Sequence, residues 1–270
     1  MATTKAKVSV LPGAGLDFAK MPGHWILAQM GKRVLRPGGL ELTHKMLERL
    51  EITPHDDVVE FAPGLGVTAR TVLAKSPRTY TGVERDPDAA ANVQKYLRGG
   101  SQRCVIGRTE ETGLEDESAS VLYGEALLTM QTAKSKERIV AEAFRVLRSG
   151  GRYGIHEIAL TPDNIDQKTR ETIEKDLQHS IRVGARPLTA TQWRQMLEDA
   201  GFEVRASVTV PMALLEPKRL LQDEGIRGVT RILANLATNP VARSRVLDMR
   251  RTFTRHANHM SAISLVAIKP

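Results

Sequence analysis

The stretch Val58-Val59-Glu60-Phe61-Ala62-Pro63-Gly64-Leu65-Gly66 decides the fold of this 270-residue chain. Its apolar first half predicts a β-strand, and Val67 to Lys75 predicts a helix that stops near Pro77. A strand that runs into a glycine turn at the start of a helix lets a ligand approach the backbone closely. We therefore interpret this βα unit as the nucleotide-binding end of an α/β domain.

The alternation of strand and helix continues along the chain. Arg78 to Glu84 predicts a second strand, and Asp86-Pro87 supplies an N-cap and a first-turn proline to the helix that follows. Further strands are predicted at residues 103–107, 120–124, 152–158, 202–210 and 262–268, and further helices at residues 134–147, 163–183 and 189–201. Strands separated by helices indicate a parallel sheet, so the expected fold class is a doubly wound, mostly parallel α/β domain.

Composition excludes several classes of protein. The chain is 41% hydrophobic and 26% charged, which is typical of a folded soluble protein. It has no run of about 18 consecutive apolar residues. Met1 to Leu11 has no apolar signal-peptide core, so a cytoplasmic location is expected. A single cysteine, Cys104, excludes an intrachain disulfide and a thiolate metal cluster, and no metal site is predicted.

The positive charge lies outside the predicted core. The net charge is +8, and residues 1–49 and 211–256 each carry an excess of five positive charges. These basic flanks could attract an acidic substrate, an anionic lipid or a nucleic acid. The alternative is that they are only solvated helix faces.

Two carboxylates help to identify the nucleotide. Gly64 to Ala69 satisfies the G-x-G-x-x-A spacing of a dinucleotide fingerprint. Glu60 argues against NAD, because a carboxylate there would face an anionic pyrophosphate, whereas it suits a ligand that carries an ammonium or sulfonium group. Glu84, twenty residues after Gly64, can accept hydrogen bonds from both hydroxyls of a ribose. Its alternative interpretation is a surface acid paired with Arg85.

Four motifs within residues 40–210 resemble those of the class I S-adenosylmethionine-dependent methyltransferases, closest to the subgroup that includes the ubiquinone and menaquinone biosynthesis enzymes. They are Glu60-Phe-Ala-Pro-Gly-Leu-Gly66, Gly82-Val-Glu-Arg-Asp-Pro87, Gly107-Arg-Thr-Glu-Glu-Thr-Gly-Leu-Glu-Asp-Glu-Ser118 and Arg145-Val-Leu-Arg-Ser-Gly-Gly-Arg152. The resemblance implies a Rossmann-like, seven-stranded sheet whose final strand is antiparallel. It also implies S-adenosylmethionine as the cofactor.

The resemblance further implies which residues bind the cofactor. Glu60 and the glycine turn would hold the methionine part, Glu84 would hold the ribose, and Thr109 and Glu110 would flank the adenine. Two positions depart from the family pattern, since alanine replaces the first glycine and arginine replaces an aspartate beside the adenine. The implied cofactor-binding residues are Glu60, Ala62, Pro63, Gly64, Gly66, Glu84, Arg85, Arg108, Thr109, Glu110 and Glu125.

Methyl transfer from a sulfonium is an in-line displacement that depends on alignment, so a general base is optional. The candidate catalytic residues are Glu125, which follows a predicted strand, His156 near the end of another strand, and His24 beside Trp25. Strand alternation allows only one of His156 and Glu157 to face the site. A hydrogen-bonded core histidine is the alternative for His156. The segment with His24 either folds over the cofactor or packs as a plain amphipathic helix.

The expected organisation is a methyltransferase core of residues 40–210 and 259–270 with two additions. Residues 1–39 form an N-terminal helical segment, and residues 211–258 form a helical insertion, interpreted as a substrate cap. A dimer interface and plain cover of the core are the alternatives for the insertion. The predicted function is methylation of a small organic acceptor that is acidic or amphiphilic. An RNA methyltransferase, a non-catalytic S-adenosylmethionine-binding protein and an NAD oxidoreductase are the alternatives. A homodimer and peripheral contact with an anionic membrane are compatible with the basic flanks.

Overall fold

The computed structural model describes residues 11–270. Residues 1–10, which belong to the predicted N-terminal segment and to the stretch tested for a signal peptide, lie outside the described residues. The strands are β1 (Asp57–Phe61), β2 (Thr79–Glu84), β3 (Gln102–Ile106), β4 (Ala119–Glu125), β5 (Leu147–Leu160), β6 (Leu188–Thr189), β7 (Glu203–Pro211) and β8 (Met260–Ile268). The helices are α1 (Gly23–Gln29), α2 (Gly39–Arg49), α3 (Val67–Leu73), α4 (Pro87–Gln94), α5 (Ala133–Val146), α6 (Gln167–Ile181), α7 (Ala190–Asp199), α8 (Pro217–Thr238) and α9 (Pro240–Arg255).

The strands form one sheet in the order β3-β2-β1-β4-β5-β8-β7, and the two-residue strand β6 pairs with β5. β1 to β5 are parallel where they pair, and β8 is antiparallel to both β5 and β7. The predicted doubly wound sheet with an antiparallel last strand is confirmed, and β6 is the strand that the sequence pattern did not predict. The strand order reverses between β1 and β4, where open α/β sheets bind their ligands at the carboxyl ends of the strands.

Helices cover both faces of the sheet. α2, α3 and α4 bury residues such as Met46 and Val72 against Val58 of β1, and α5 and α7 bury Ile139 and Trp193 against the opposite face. A capping box opens α7, where Thr189 and Gln192 bond each other's backbone reciprocally. These two layers fix the direction of the strands and therefore the place where their carboxyl ends meet.

The remaining helices form a separate layer beyond the carboxyl ends of the strands. α1, α6 and α9 share an apolar cluster that includes Leu27, Leu177 and Phe253. α8 bends at Gly225, whose φ of 67° and ψ of 173° are not helical. Within residues 11–270, no helix is both long and apolar enough to span a membrane.

Candidate active site

A cavity of about 680 Å³ opens at the carboxyl ends of the parallel strands. This volume lies in the range of small-molecule sites, which is roughly 300–1,000 Å³. One half of the cavity is lined by the turn after β1, the ends of β2, β3 and β4, and the loops that follow them. The structure brings most of the predicted residues together here, namely His24, Ala62, Pro63, Gly64, Glu84, Arg85, Arg108, Thr109, Glu110 and Glu125. Glu60, Gly66 and His156 are not among the residues that line it.

The turn after β1 keeps its backbone open toward the cavity. Ala62, Gly64 and Gly66 all have positive φ angles, of 53°, 56° and 71°. A Cβ atom at Gly64 would have only the Ala62 carbonyl oxygen within 4 Å, at 3.9 Å, whereas a Cβ atom at Gly66 would come within 2.9 Å of the Tyr96 ring. Gly64 therefore leaves space for a ligand, and Gly66 is required by packing.

Glu84 organises the same turn from the end of β2. Its Oε2 accepts the Gly64 N–H at 2.9 Å and its Oε1 accepts the Asp86 N–H at 3.0 Å. The side chain is buried, and this burial raises the pKa of its carboxyl group. The structure gives Glu84 no ion pair with Arg85 among the described residues, so the surface-acid interpretation does not describe it.

Glu60 lies beneath the turn, among aromatic side chains. Its Oε2 accepts hydrogen bonds from the hydroxyl groups of Tyr80 at 2.5 Å and Tyr123 at 2.7 Å. Burial raises the pKa of Glu60 to about 7. Its predicted contact with the methionine part of a cofactor stays a prediction, since the carboxyl group is separated from the cavity lining.

Replacing Glu60 by Gln is expected to change how stability depends on pH. The pKa of this carboxyl group rises from about 4.5 to about 7 on folding, so its protonation contributes to the stability of the folded protein. That contribution is fully present below pH 4.5 and is lost as the pH rises through 7. The free energy of unfolding of the wild type, measured with denaturant, should therefore fall more steeply between pH 5 and pH 8 than that of Glu60→Gln. Parallel curves would contradict the burial account. A weaker cofactor affinity in the variant would instead support the predicted contact with the ammonium group.

Glu125, at the end of β4, has a buried side chain that joins several elements around the site. It accepts hydrogen bonds from Arg36 at 3.0 Å, Thr43 at 2.5 Å, Thr68 at 2.5 Å and the Nδ1 of His156 at 2.9 Å. Burial alone would raise its pKa, but the Arg36 cation and the hydrogen bond from His156 lower it to about 2. Glu125 is therefore an ionised anchor for the elements around the site.

His156 points away from the cavity on β5, and both of its ring nitrogens are used. The Gly38 N–H donates to Nε2 at 3.0 Å, so the proton of the neutral ring is on Nδ1, which bonds Glu125. The ring is fully buried. This arrangement matches the core-histidine alternative and leaves His156 without access to an acceptor.

The next residue, Glu157, lines the cavity in its place. Its carboxylate accepts the backbone N–H groups of Leu127, Leu128 and Thr129 and the Thr129 hydroxyl, at 2.7–3.0 Å. Burial raises the pKa of Glu157. With four donors already bound, Glu157 fixes the loop after β4, which forms part of the cavity wall.

His24, at the start of α1, is the candidate histidine that does line the cavity. Its ring contacts Trp25, with the ring centroids 4.4 Å apart. Burial lowers the pKa of His24 to about 4, and the opposing attraction of nearby Asp86 is smaller. At neutral pH the ring is therefore uncharged and can accept a hydrogen bond, and the lowered pKa makes it a weak base.

The other half of the cavity is an apolar wall built by α1, α6, α9 and the chain after β7. We call these residues the apolar wall: Leu27, Leu35, Ile158, Leu177, Ile181, Val183, Ala185, Met212, Leu214, Met249 and Phe253. The 211–258 insertion thus contributes methionine, leucine and phenylalanine side chains to the cavity but no arginine. Several of its arginines bond other groups, as Arg219 does with Glu41 and Arg255 with Asp176.

Three parts of the site were missed by sequence reasoning. Arg36 lines the cavity, Thr68 supports Glu125, and the apolar wall gathers residues from distant segments of the chain. The apolar residues of the 211–258 insertion predicted a substrate cap there, but apolar periodicity gave no signal for the wall residues from α1, β5 and α6. No group of three or more metal-ligating side chains is found in residues 11–270.

Comparisons with known proteins agree with this geometry. The model of a family described as "Methyltransferase domain" matches residues 59–155. An uncharacterized protein of Haemophilus influenzae is 31% identical over 247 residues, which cover 89% of this chain and 96% of that protein. Methyltransferase phqN of Penicillium fellutanum is 23% identical over 196 residues, which cover 71% of this chain and 59% of that protein.

A solved structure shares the fold. Haemonchus contortus phosphoethanolamine N-methyltransferase 2, in complex with phosphomonomethylethanolamine and S-adenosylhomocysteine, superposes with a TM-score of 0.69. The two sequences are 14% identical, and the match covers 92% of this chain and 57% of that chain. At this identity the likeness concerns the fold alone.

Proposed function

The chain belongs to the class I S-adenosylmethionine-dependent methyltransferases, and on that premise we propose that it methylates a small organic acceptor with a largely apolar body. The observation that carries the proposal is one cavity with two unlike halves. The polar half lies where the family places S-adenosylmethionine, and the apolar wall faces it from the other side.

The residues present fit the cofactor. Gly64 leaves open space beside the backbone, Glu84 offers buried carboxylate oxygens for ribose hydroxyls, and the guanidinium of Arg36 has unbonded donors. When bound, S-adenosylmethionine supplies an electrophilic methyl group on its sulfonium. We propose that Thr109 and Glu110 border the adenine, as the family resemblance implies.

The chain's own contribution to the reaction is alignment. Glu157 fixes the loop after β4. Glu125, at the end of β4, links that strand to Arg36 and to α3. These bonds hold the cavity walls on both sides of the proposed cofactor position. The apolar wall excludes water and orients the body of the acceptor. Where the acceptor carries a proton that must leave, His24 is the proposed proton acceptor because it lines the cavity.

The structure changes the kind of acceptor that we favour. The sequence suggested an acidic or amphiphilic molecule because both flanks are basic. The arginines of the 211–258 insertion do not line the cavity, whereas Arg33 and Arg36 of the N-terminal flank do. An amphiphilic or apolar molecule fits the wall better. Membership of the ubiquinone and menaquinone subgroup, a homodimer and peripheral membrane contact stay predictions.

The direct test of the proposed function is transfer of a labelled methyl group. The purified protein is incubated with methyl-labelled S-adenosylmethionine and a fractionated metabolite extract, and products are identified by mass spectrometry. We expect the label in an apolar or amphiphilic fraction, in parallel with formation of S-adenosylhomocysteine. Label in RNA alone would favour the RNA methyltransferase alternative and contradict the small-acceptor proposal.

Replacing Leu214 by Trp is expected to lower turnover of the acceptor by about tenfold or more while leaving cofactor affinity within about twofold. The larger side chain extends from the apolar wall into the cavity and fills part of its volume. Steady-state kinetics and calorimetry with S-adenosylhomocysteine measure the two effects. Leu214→Ile is the matched control, because it keeps the volume of the side chain. An unchanged Michaelis constant and turnover number in Leu214→Trp would contradict the assignment of this wall to the acceptor.

A further inference from the structure

The buried polar atoms that lack a hydrogen-bond partner in residues 11–270 are concentrated around one segment. They are Lys32 Nζ, Arg36 Nε, Arg36 Nη2, Arg219 Nε and Asp223 Oδ2. Among these residues only Arg36 lines the cavity. Buried donors are normally bonded, so two free N–H groups on one guanidinium indicate a missing partner.

The free atoms form one edge of the guanidinium. Nε and Nη2 carry two parallel N–H groups, which is the pair that arginine uses to bind a carboxylate with two hydrogen bonds. The remaining nitrogen, Nη1, already bonds Glu125 Oε2 at 3.0 Å. The ion pair with Glu125 thus orients the guanidinium and leaves a preformed carboxylate-binding edge.

Arg36 stands at the cofactor end of the cavity. The oxygen of Glu125 that it bonds also accepts a hydrogen bond from the hydroxyl group of Thr68, the second residue of α3. α3 begins directly after the glycine turn, on which the methionine part of the cofactor is expected. The apolar wall, in contrast, has no polar group that would attract a carboxylate of the acceptor.

The backbone around Arg36 is held from two sides. On the core side, the Gly38 N–H bonds His156. On the insertion side, the N–H groups of Arg33 and Val34 bond Glu224 Oε1 at 2.8 and 2.9 Å. Arg36 therefore occupies a fixed position before any ligand arrives.

We propose that Arg36 binds the carboxylate of the methionine part of S-adenosylmethionine through Nε and Nη2. This inference rests on the proposed function. The carboxylate is the one anionic group of that cofactor, and a guanidinium already oriented by Glu125 meets it with little loss of side-chain freedom. Arg36 is then a binding residue, and its contact with the carboxylate distinguishes the cofactor from adenosine compounds that lack this group.

The test compares S-adenosylmethionine with decarboxylated S-adenosylmethionine, which keeps the ammonium and sulfonium groups and lacks only the carboxylate. Calorimetry on the wild type should show a preference of about ten- to hundredfold for the carboxylate form, the range of a charge-assisted hydrogen bond. Arg36→Met should bind both compounds equally, through weaker binding of S-adenosylmethionine alone. Arg231→Met is the matched control, because Arg231 bonds the Gly31 carbonyl in the same segment from outside the cavity and should leave the preference intact.

Binding of 5′-methylthioadenosine and a second variant separate a direct contact of Arg36 with the carboxylate from a structural role. 5′-Methylthioadenosine lacks the whole amino-acid part, so equal loss of its affinity and that of S-adenosylmethionine in Arg36→Met would reduce Arg36 to a structural support and overturn the proposal. If Arg36→Met fails to fold, Arg36→Met/Glu125→Gln replaces it, since no unpaired carboxylate is then buried. A preserved carboxylate preference together with a raised Michaelis constant for the acceptor would assign Arg36 to the acceptor and overturn the proposal too. A wild type that binds none of the three compounds would instead refute the proposed function.

Discussion

Gly64→Asp is expected to abolish binding of S-adenosylmethionine, a loss of at least about a hundredfold, while the protein stays folded. Gly64 has a φ of 56°, a conformation that aspartate tolerates better than most residues. A Cβ atom at this position would have a single neighbouring atom within 4 Å, so the fold offers no clash. The new carboxylate would instead enter the cavity beside Glu84, where it takes the space of the ligand and repels the neighbouring carboxylate.

Calorimetry with S-adenosylhomocysteine measures the loss, and thermal unfolding followed by circular dichroism checks the fold. Gly66→Ala is the contrasting variant, because its Cβ atom would approach the Tyr96 ring to 2.9 Å and should lower stability first. An affinity of Gly64→Asp close to that of the wild type would show that the ligand does not approach this turn.

Glu125→Ala is expected to lower the free energy of unfolding at pH 7 by about 3–5 kcal/mol, the cost of removing one partner from a buried ion pair. The substitution leaves the Arg36 cation buried and removes the acceptor of Thr43, Thr68 and His156. Denaturant unfolding measures the change. Glu125→Gln is the matched control, because it keeps the shape and part of the hydrogen bonding while it removes the charge.

The loss of stability in Glu125→Ala is also expected to depend on pH. The pKa of Glu125 is lowered to about 2 in the folded protein, from an ordinary value of about 4.5. The stabilisation by the ionised carboxylate is therefore fully present above pH 4.5 and is lost as the pH falls toward 2. The difference in stability between the wild type and Glu125→Ala should shrink as the pH falls from 7 to 3. A difference below about 1 kcal/mol at pH 7, or one that does not depend on pH, would contradict the role of Glu125 as an ionised anchor.

Local sequence signals identified residues that the structure gathers around one cavity. The turn of Ala62 to Gly66 and Glu84 after β2 belong to two neighbouring βα units, and the carboxyl ends of parallel strands meet at one edge of a sheet. The antiparallel last strand followed from the family resemblance. These features depend on short stretches of chain, which is why motifs reveal them.

Contacts between distant segments could not be read from motifs. Strand alternation placed His156 and Glu157 on opposite faces, as observed, but it could not tell which face bounds the cavity. Arg36 meets Glu125 across 89 residues of chain, and Gly38 meets His156 across 118. No local pattern specifies such a pair.

Hydrogen bonds also connect the 211–258 insertion to the N-terminal segment. Asp223 and Glu224 of α8 accept backbone N–H groups of residues 33, 34 and 40, next to Arg36. Arg245 of α9 donates to the carbonyl groups of Phe18, Ala19, Met21 and Ser180. The 211–258 insertion therefore supports the N-terminal segment that covers the polar half of the cavity, in addition to building part of the apolar wall.

The measurement that tests the central claim most directly is calorimetric titration of the purified protein with S-adenosylhomocysteine and with NAD. The polar half of the cavity should bind S-adenosylhomocysteine at one saturable site, with Glu84 on the ribose and Arg36 on the carboxylate, and it should show no binding of NAD at the same concentrations. Equal or tighter binding of NAD, or no binding of S-adenosylhomocysteine, would contradict the account.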